Sequence, residues 1–192
     1  IFYNMSFWKV HLPWTKKFVK DNIDIIEQGY NLFPTRNNWD CNVHTIYEDD
    51  NDVPQIDYGF LRKEYVAVCA EFAKERKLKR VFLGEVWYNY YKKSQYQESH
   101  VHEGDYTAVH YLKFNRFKHP PTKFTDPKLK SPRVREGDLI VFPANYEHYV
   151  EECKSRESRL TIAFGISIPF LHQGRWAAKS NLVGEYRYLY NE

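Results

Sequence analysis

A change in the character of the sequence at residue 80 constrains the fold more than any other feature. From there the chain consists of short runs rich in Val, Ile, Phe and Tyr, among them RVFLGEVWYNYY, YTAVHYLKF, DLIVFP and RLTIAFGISI. Such runs are typical of β-strands. They are separated by turn signals such as EGD, HPP and SPRVREGD. The pattern predicts a sandwich or barrel of antiparallel strands.

The part of the chain before residue 80 carries helical patterns instead. In TKKFVKDNIDIIEQGYNLF, the residues Val19, Ile23 and Ile26 stand at helical spacing, with Thr15 as the predicted N-cap and Gly29 as the predicted stop. A second helix is predicted in DYGFLRKEYVAVCAEFAKERK. Its apolar stripe consists of Leu61, Tyr65, Val68, Cys69 and Phe72. Helices followed by many strands predict an α+β fold.

Length and composition favour one globular domain. A chain of 192 residues with 43% hydrophobic residues fits a single core. We expect 1–79 to be mainly helical support, 80–170 to be the strand core and 171–192 to be a C-terminal extension. No apolar run approaches the ~18–20 residues of a membrane span, and the net charge of +3 gives no reason to expect nucleic acid as a partner. Three cysteines without a CxxC spacing favour a reducing compartment, so we expect a cytoplasmic protein.

Histidines in two places suggest a metal site. His100 and His102 flank a single valine, and on a strand residues i and i+2 point to the same face with Cα atoms roughly 6.6 Å apart. Two surface histidines would give the same pattern, so this pair alone does not decide. His148 follows forty-six residues after His102, and Arg159 begins the next apolar run. Two close ligands and a third from a distant strand can form a facial metal site, and the arginine offers a fork for a carboxylate.

The set of motifs resembles the Fe(II)- and 2-oxoglutarate-dependent oxygenases, and within them the prolyl 4-hydroxylase-like group. The resemblance rests on VWYNYYKKSQYQESHVH, AVHYL, GDLIVFPANYEHYV and SRLTIAF, which together span roughly residues 86–164. It implies a double-stranded β-helix (jelly-roll) core buttressed by the N-terminal helices. It also implies a dioxygenase that hydroxylates a C–H bond with Fe(II), 2-oxoglutarate and O₂. A prolyl residue of a peptide or protein is the first expected substrate, and a small-molecule substrate is the other.

The resemblance also assigns roles to residues. His100 matches the first iron ligand and His148 the distal ligand. Arg159 matches the residue that pairs with the far carboxylate of 2-oxoglutarate. Tyr111 and Tyr90 match residues that line the co-substrate pocket. Thr161, two residues after Arg159, shares its strand face and is expected to add a hydroxyl contact.

His102 departs from the wider family, which has Asp or Glu at this position. ESHVHEGD is similar to a phage and bacterial branch that carries His-x-His, and this implies a metal site of His100, His102 and His148. Three imidazoles also suit Zn, Ni or Co. If a bulge re-aims the strand, Glu103 or Asp105 is an alternative carboxylate ligand. The alternative function is a metal-binding jelly roll that does not depend on 2-oxoglutarate, either a dioxygenase without that co-substrate or a non-catalytic binding module.

Residues 113–135 form a basic segment with eight Lys or Arg and one acidic residue, Asp126. A solvated loop face is the plainer interpretation. The alternative is a rim that holds an acidic or phosphate-bearing partner or the substrate. For a substrate rim the expected residues are Lys118, Lys123 and Arg133.

Overall fold

Ten strands and two helices make up the described part of the chain. The structure is a computed structural model, and it describes residues 7–36, 41–168 and 189–190. In chain order the elements are β1 (Trp8–His11), α1 (Thr15–Leu32), β2 (His44–Tyr47), α2 (Tyr58–Glu75), β3 (Arg80–Tyr91), β4 (Gln97–His100), β5 (Tyr106–Lys113), β6 (Thr122–Phe124), β7 (Asp138–Pro143), β8 (His148–Val150), β9 (Arg159–Ser167) and β10 (Leu189–Tyr190).

The strands form two antiparallel sheets. The larger sheet has seven strands in the order β1-β7-β5-β9-β3-β10, with β2 also paired to β3. The smaller sheet has the order β4-β8-β6. Phe124 of the smaller sheet meets Phe142 of the larger with ring centroids 5.0 Å apart, so the two sheets face each other. This arrangement confirms the predicted α+β fold with an antiparallel jelly-roll core.

The N-terminal residues contribute more than helical support. Strands β1 and β2 both come from the first 79 residues, and they pair with β7 and β3 of the larger sheet. The predicted C-terminal extension lies outside the described residues, apart from β10, whose backbone pairs with the start of β3. Within the described chain, neither helix has the length and apolar character needed to cross a membrane.

Helix α2 follows its sequence pattern closely. The Asp57 side chain accepts a hydrogen bond from the Phe60 backbone N–H at 2.9 Å and caps the helix. All residues of the predicted apolar stripe are buried: Leu61, Tyr65, Val68, Cys69 and Phe72. They pack with α1 against the outer face of the larger sheet and form the main core. The helices therefore cover one face of the larger sheet, and the other face is left to the smaller sheet.

Helix α1 differs from its prediction at both ends. Thr15 is its first helical residue and Trp14 takes the N-cap position, while the helix continues past Gly29 to Leu32. Gly29 is required for close packing rather than for termination. A Cβ at this position would lie 3.3 Å from Tyr88 Oη and 3.4 Å from His44 Nε2. The glycine thus allows α1 to approach β2 and β3.

The alternation of side chains on the strands separates two environments. On β3, the even-numbered Tyr88 and Tyr90 belong to the helix-facing core. The odd-numbered Trp87 belongs to a second cluster with Phe124 and Phe142 between the two sheets. We call the side of the larger sheet that faces the smaller sheet the inner face. The candidate site residues lie on or against this inner face.

We predict that Gly29→Val lowers the free energy of unfolding by about 2 kcal/mol, although valine is a better helix former than glycine. The added methyl groups would press on Tyr88 and His44, whose side chains lie 3.3 Å apart at Tyr88 Oη and His44 Nε2. Urea denaturation measures the change.

Gly59→Ala in α2 is the matched control. A Cβ there would meet only Asp57 Oδ1, at 3.4 Å, so stability should change by less than about 1 kcal/mol and in the favourable direction. Equal effects of the two substitutions would contradict the packing role of Gly29.

Candidate active site

Three histidines converge at one end of the space between the sheets. One nitrogen from each of His100, His102 and His148 lies within 4.8 Å of the corresponding atoms of the other two. His100 on β4 is the register partner of His148 on β8. His102 lies in the loop after β4, and its backbone N–H donates to the Ala144 carbonyl at 3.0 Å. The structure thus brings together the three residues of the predicted metal site.

Hydrogen bonds orient two of the imidazole rings. Nδ1 of His100 donates to the Glu98 carbonyl at 2.7 Å, and Nδ1 of His148 donates to the Tyr146 carbonyl at 2.8 Å. A carbonyl can only accept, so Nδ1 carries the proton in both rings and Nε2 carries the lone pair that a metal needs. The His102 ring lies 5.2 Å from the Trp87 ring, which forms a wall beside it.

The histidines are held in the neutral form. Burial, followed by the effects of the neighbouring His148 and His100, lowers the pKa of His102 to about 3. Burial, followed by the effect of His100, lowers the pKa of His148 to about 3. Burial also lowers the pKa of His100. Neutral imidazoles at neutral pH are the state in which histidine binds a metal.

Carboxylates do not take part in this cluster. Within the described residues, the group of potential ligands contains only the three histidines. Glu103, an alternative ligand in the sequence analysis, is exposed. Asp105, the other alternative, accepts a hydrogen bond from the Ile168 backbone N–H at 2.6 Å. The cluster therefore offers three neutral nitrogens and no negative charge.

Arg159 lies deeper between the sheets and lacks partners for most of its guanidinium. The side chain is fully buried, and its Nε donates to the Pro120 carbonyl at 3.1 Å. Nη1 and Nη2 have no hydrogen-bond partner among the described residues. The guanidinium carbon lies 4.5 Å from the centre of the Tyr91 ring and 5.7 Å from that of Tyr111. An arginine in this state is prepared to receive a carboxylate.

Two of the predicted co-substrate residues lie beside Arg159. Tyr111 on β5 and Thr161 on β9 are register partners, and both are buried. The Tyr111 hydroxyl accepts a hydrogen bond from the Thr122 backbone N–H at 3.1 Å. Its own hydrogen is therefore available to a further acceptor.

Tyr90 lies elsewhere. Its hydroxyl donates to Glu27 of α1 at 2.8 Å, and its ring packs against Tyr30 in the helix-facing core. The tyrosine of β3 that reaches Arg159 is its neighbour Tyr91, whose hydroxyl donates to Gln97 Oε1 at 2.9 Å. Sequence reasoning missed Tyr91 because side chains on a strand alternate between faces. Only the register, which pairs Tyr91 with Arg159, shows which of the two tyrosines lies beside the arginine.

The residues proposed for a substrate rim do not gather around the histidines. Lys118 forms an ion pair with Glu157, and Lys123 forms one with Glu151 at 2.6 Å. Lys123 lies between the buried Thr122 and Phe124 on β6 and points away from the inner face. Arg133 is exposed. Other members of the basic segment line a cavity of about 760 Å³ together with Ser158. None of the three histidines lines this cavity.

Solved structures of 2-oxoglutarate-dependent oxygenases have the same fold. A viral collagen prolyl hydroxylase from Paramecium bursaria Chlorella virus 1, solved with 2-oxoglutarate, matches with a TM-score of 0.62 and 16% identity over 85% of this chain and 96% of that chain. A prolyl-4-hydroxylase from Pseudomonas putida matches with a TM-score of 0.59 and 12% identity over 85% and 93%. HygX from Streptomyces hygroscopicus, solved with nickel and 2-oxoglutarate, matches with a TM-score of 0.57 and 14% identity over 97% and 92%.

These likenesses confirm, at the level of the fold, the resemblance to prolyl 4-hydroxylases and related 2-oxoglutarate oxygenases. The fold is a double-stranded β-helix, as the sequence predicts. No family model and no curated protein matches the sequence.

We predict that His102→Ala lowers the affinity for Zn(II) by about a hundredfold or more, because one of three nitrogen ligands is removed. Isothermal titration at neutral pH measures the affinity and the number of ions bound. The wild-type protein should bind one ion.

His11→Ala is the control, because the His11 side chain is partly exposed and bonds to Asp138 outside the cluster. It should leave Zn(II) binding unchanged. Stoichiometric Zn(II) binding of wild-type strength to the His102→Ala protein would show that His102 is not a ligand.

Proposed function

We propose that this protein is an Fe(II)- and 2-oxoglutarate-dependent dioxygenase that hydroxylates a C–H bond. One observation carries the proposal. A fully buried arginine presents two guanidinium nitrogens that have no partner among the described residues. It lies on the same inner face against which the three-histidine cluster lies. The overall reaction converts the substrate C–H, O₂ and 2-oxoglutarate into the hydroxylated substrate, succinate and CO₂.

The spacing suits a short dicarboxylate. Trp87, which contacts His102, is the register partner of Ala163 on β9. Arg159 begins the same strand four residues earlier, so the Cα atoms of Arg159 and Ala163 are roughly 13 Å apart at a rise of about 3.3 Å per residue. The arginine side chain spans part of that distance. One carboxylate at Arg159 and the keto acid at the metal would span the rest.

Electrostatics favour a dianion in this pocket. An unpaired guanidinium in the protein interior is costly unless an anion pairs with it. A carboxylate can accept two parallel hydrogen bonds from Nη1 and Nη2. Tyr111 can donate a third, because its hydroxyl oxygen already accepts from the Thr122 N–H. The rings of Tyr91 and Tyr111 flank the guanidinium and exclude water from the ion pair.

The three histidines fit a divalent metal. His100, His102 and His148 would hold it through ring nitrogens, and the carbonyls of Glu98 and Tyr146 fix the orientation of two of the rings. The metal supplies the activation of O₂ when it is bound. The chain's own residues bind and orient the co-substrate, shield it from water and keep the ligands neutral.

A prolyl residue of a peptide or protein is the substrate that we propose first. The support is that two of the similar structures are those of prolyl hydroxylases. The ring walls next to the histidines, Trp87 and Phe142, provide apolar surface for a C–H bond rather than for a charged group.

The absence of a carboxylate ligand favours one other function, a metal-binding jelly roll that does not use 2-oxoglutarate. Three neutral nitrogens leave the full charge on the ion and also suit Zn, Ni or Co. Formation of succinate from 2-oxoglutarate with Fe(II) and O₂ separates the two functions. A metal-loaded protein that neither binds 2-oxoglutarate nor releases succinate would refute the proposed oxygenase.

We predict that Arg159→Met weakens 2-oxoglutarate binding to the metal-loaded protein by about a hundredfold, because the partner of the far carboxylate is lost. It should also raise the free energy of unfolding of the ligand-free protein by about 1 kcal/mol, because a buried unpaired charge is replaced by an apolar side chain of similar size. Calorimetric titration under anaerobic conditions and urea denaturation measure the two effects.

Arg62→Met is the matched control. Arg62 donates to Glu48 at 2.7 and 2.9 Å, so its loss should reduce stability and leave 2-oxoglutarate binding unchanged. An Arg159→Met protein with wild-type affinity for 2-oxoglutarate would contradict the role of Arg159.

We predict that His102→Asp raises the affinity for Fe(II) by about tenfold or more, because a unit negative charge close to the ion contributes on the order of 1–4 kcal/mol at effective dielectric constants between those of water and a protein surface. Anaerobic Fe(II) competition titrations measure this, and succinate formation reports the effect on turnover. An affinity for Fe(II) that is unchanged in this variant would show that position 102 does not face the ion.

A further inference from the structure

The inner face carries a second buried polar atom that lacks a partner. Thr107 on β5 is fully buried, and its Oγ1 has no hydrogen-bond partner among the described residues. Among the described residues, the two other side chains with such an atom are those of Arg159 and of Gln55, which lies in the loop before α2. Unpartnered buried polar atoms are uncommon in folded proteins, and they often mark a place where a ligand or water bonds.

Thr107 and Arg159 lie at opposite ends of the inner face. Thr107 is the register partner of Phe142 on β7 and of Gly165 on β9. The Phe142 ring lies 4.9 Å from the His148 ring. The hydroxyl of Thr107 therefore belongs to the end of the sheet that carries the histidines, away from the co-substrate end.

The backbone places the loop of His102 next to this row. The N–H of His102 donates to Ala144, and the N–H of Asp105 donates to Ile166. Ile166 is the register partner of Tyr106 on β9, and Ala144 directly follows Pro143, the register partner of Tyr106 on β7. Tyr106 is the residue before Thr107. A group beside Thr107 would consequently lie next to the metal-binding loop.

Gly165 leaves space at this position. The alternation on β9 puts residue 165 on the inner face with Arg159 and Ala163, while Phe164 and Ile166 belong to the helix-facing core. No atom of the described residues outside its chain neighbours lies within 4 Å of the point where a Cβ of Gly165 would stand. The row formed by Thr107 and Gly165 thus combines an unpartnered hydroxyl with room for a ligand.

We infer that Thr107 and Gly165 form a substrate subsite that binds an amide carbonyl next to the reacting C–H bond. This inference rests on the proposed oxygenase function and assigns part of its substrate site. The hydroxyl of Thr107 donates to the carbonyl oxygen, and the missing side chain of Gly165 admits the group.

The surroundings select a neutral group. The neighbours of Thr107 in the cluster between the sheets are apolar: Val109, Phe142 and Ala163. A charged substrate group would have no counter-ion in this row, whereas a peptide carbonyl needs only one donor. The subsite therefore favours a peptidyl or other amide substrate over an amine or a carboxylate.

The test uses N-acetylprolinamide as the probe, on Zn(II)-loaded protein saturated with 2-oxoglutarate, with the Thr107 methyl and Gly165 amide signals followed by NMR. The wild-type protein should show a saturable shift of both signals. Thr107→Val should weaken probe binding by about tenfold, because the donor is lost and the shape is kept. Thr107→Ser should restore binding, and Gly165→Ala should weaken it by filling the space.

Two results overturn the inference: the absence of a saturable shift in the wild-type protein, and equal affinity of the wild-type and Thr107→Val proteins. Thermal unfolding separates binding from folding, since Thr107→Val removes an unpartnered hydroxyl and should melt no lower than the wild-type protein. Succinate formation without the probe tests the oxygenase function separately. If succinate is released but binding of the probe does not depend on Thr107, only the subsite is refuted. Thr107-dependent binding without succinate refutes only the oxygenase.

Discussion

The buried, unpaired guanidinium of Arg159 is the constraint on which the rest of the site depends. Among the described residues this interior cation bonds only through Nε, to a carbonyl, and such a group by itself disfavours folding. The fold accommodates it by surrounding it with the faces of two tyrosine rings and by placing it at the start of β9, a strand paired on both sides. The remaining cost is offset only when an anion binds. The helix-facing core therefore stabilises the ligand-free protein, and the inner face is left for the proposed ligand.

The division between the two faces of β3, β5 and β9 explains how one sheet serves both purposes. Even-numbered residues such as Tyr88 and Phe164 pack against the helices, and odd-numbered residues such as Trp87, Tyr91 and Arg159 face the smaller sheet. The β-bulge in β3 between Leu83 and Val86 changes this parity, so that Leu83 also faces the helices. The proposed site thus lies on the face of the larger sheet that the helices do not cover.

The sequence was sufficient for the parts of the structure that local pattern determines. Helix α2 and the strands after residue 80 follow from apolar periodicity and turn signals. The grouping of His100, His102 and His148 is predicted from their spacing together with the resemblance to 2-oxoglutarate oxygenases. Tyr90 and Gly29 show the limit. Which tyrosine lies beside Arg159 depends on the register of β3 against β9, and the role of Gly29 depends on the approach of Tyr88 and His44. Both are tertiary facts, and no local propensity encodes them. The same holds for Thr107, which carries no motif and becomes notable only through its missing partner.

The charge of the three-histidine cluster links the two ends of the inner face. With neutral imidazoles, a divalent ion keeps a charge of about +2, and Arg159 adds about +1 deeper between the sheets. A dicarboxylate supplies about −2, so the filled pocket would retain a net charge of about +1. A carboxylate ligand at position 102 would cancel this charge. The excess positive charge has a larger electrostatic effect in the low-dielectric interior than it would have in water. Since no carboxylate of the described residues joins the cluster, the proposed co-substrate would be the main source of negative charge for both cations. Co-substrate and metal should consequently bind with strong mutual dependence, each reducing the electrostatic cost of the other.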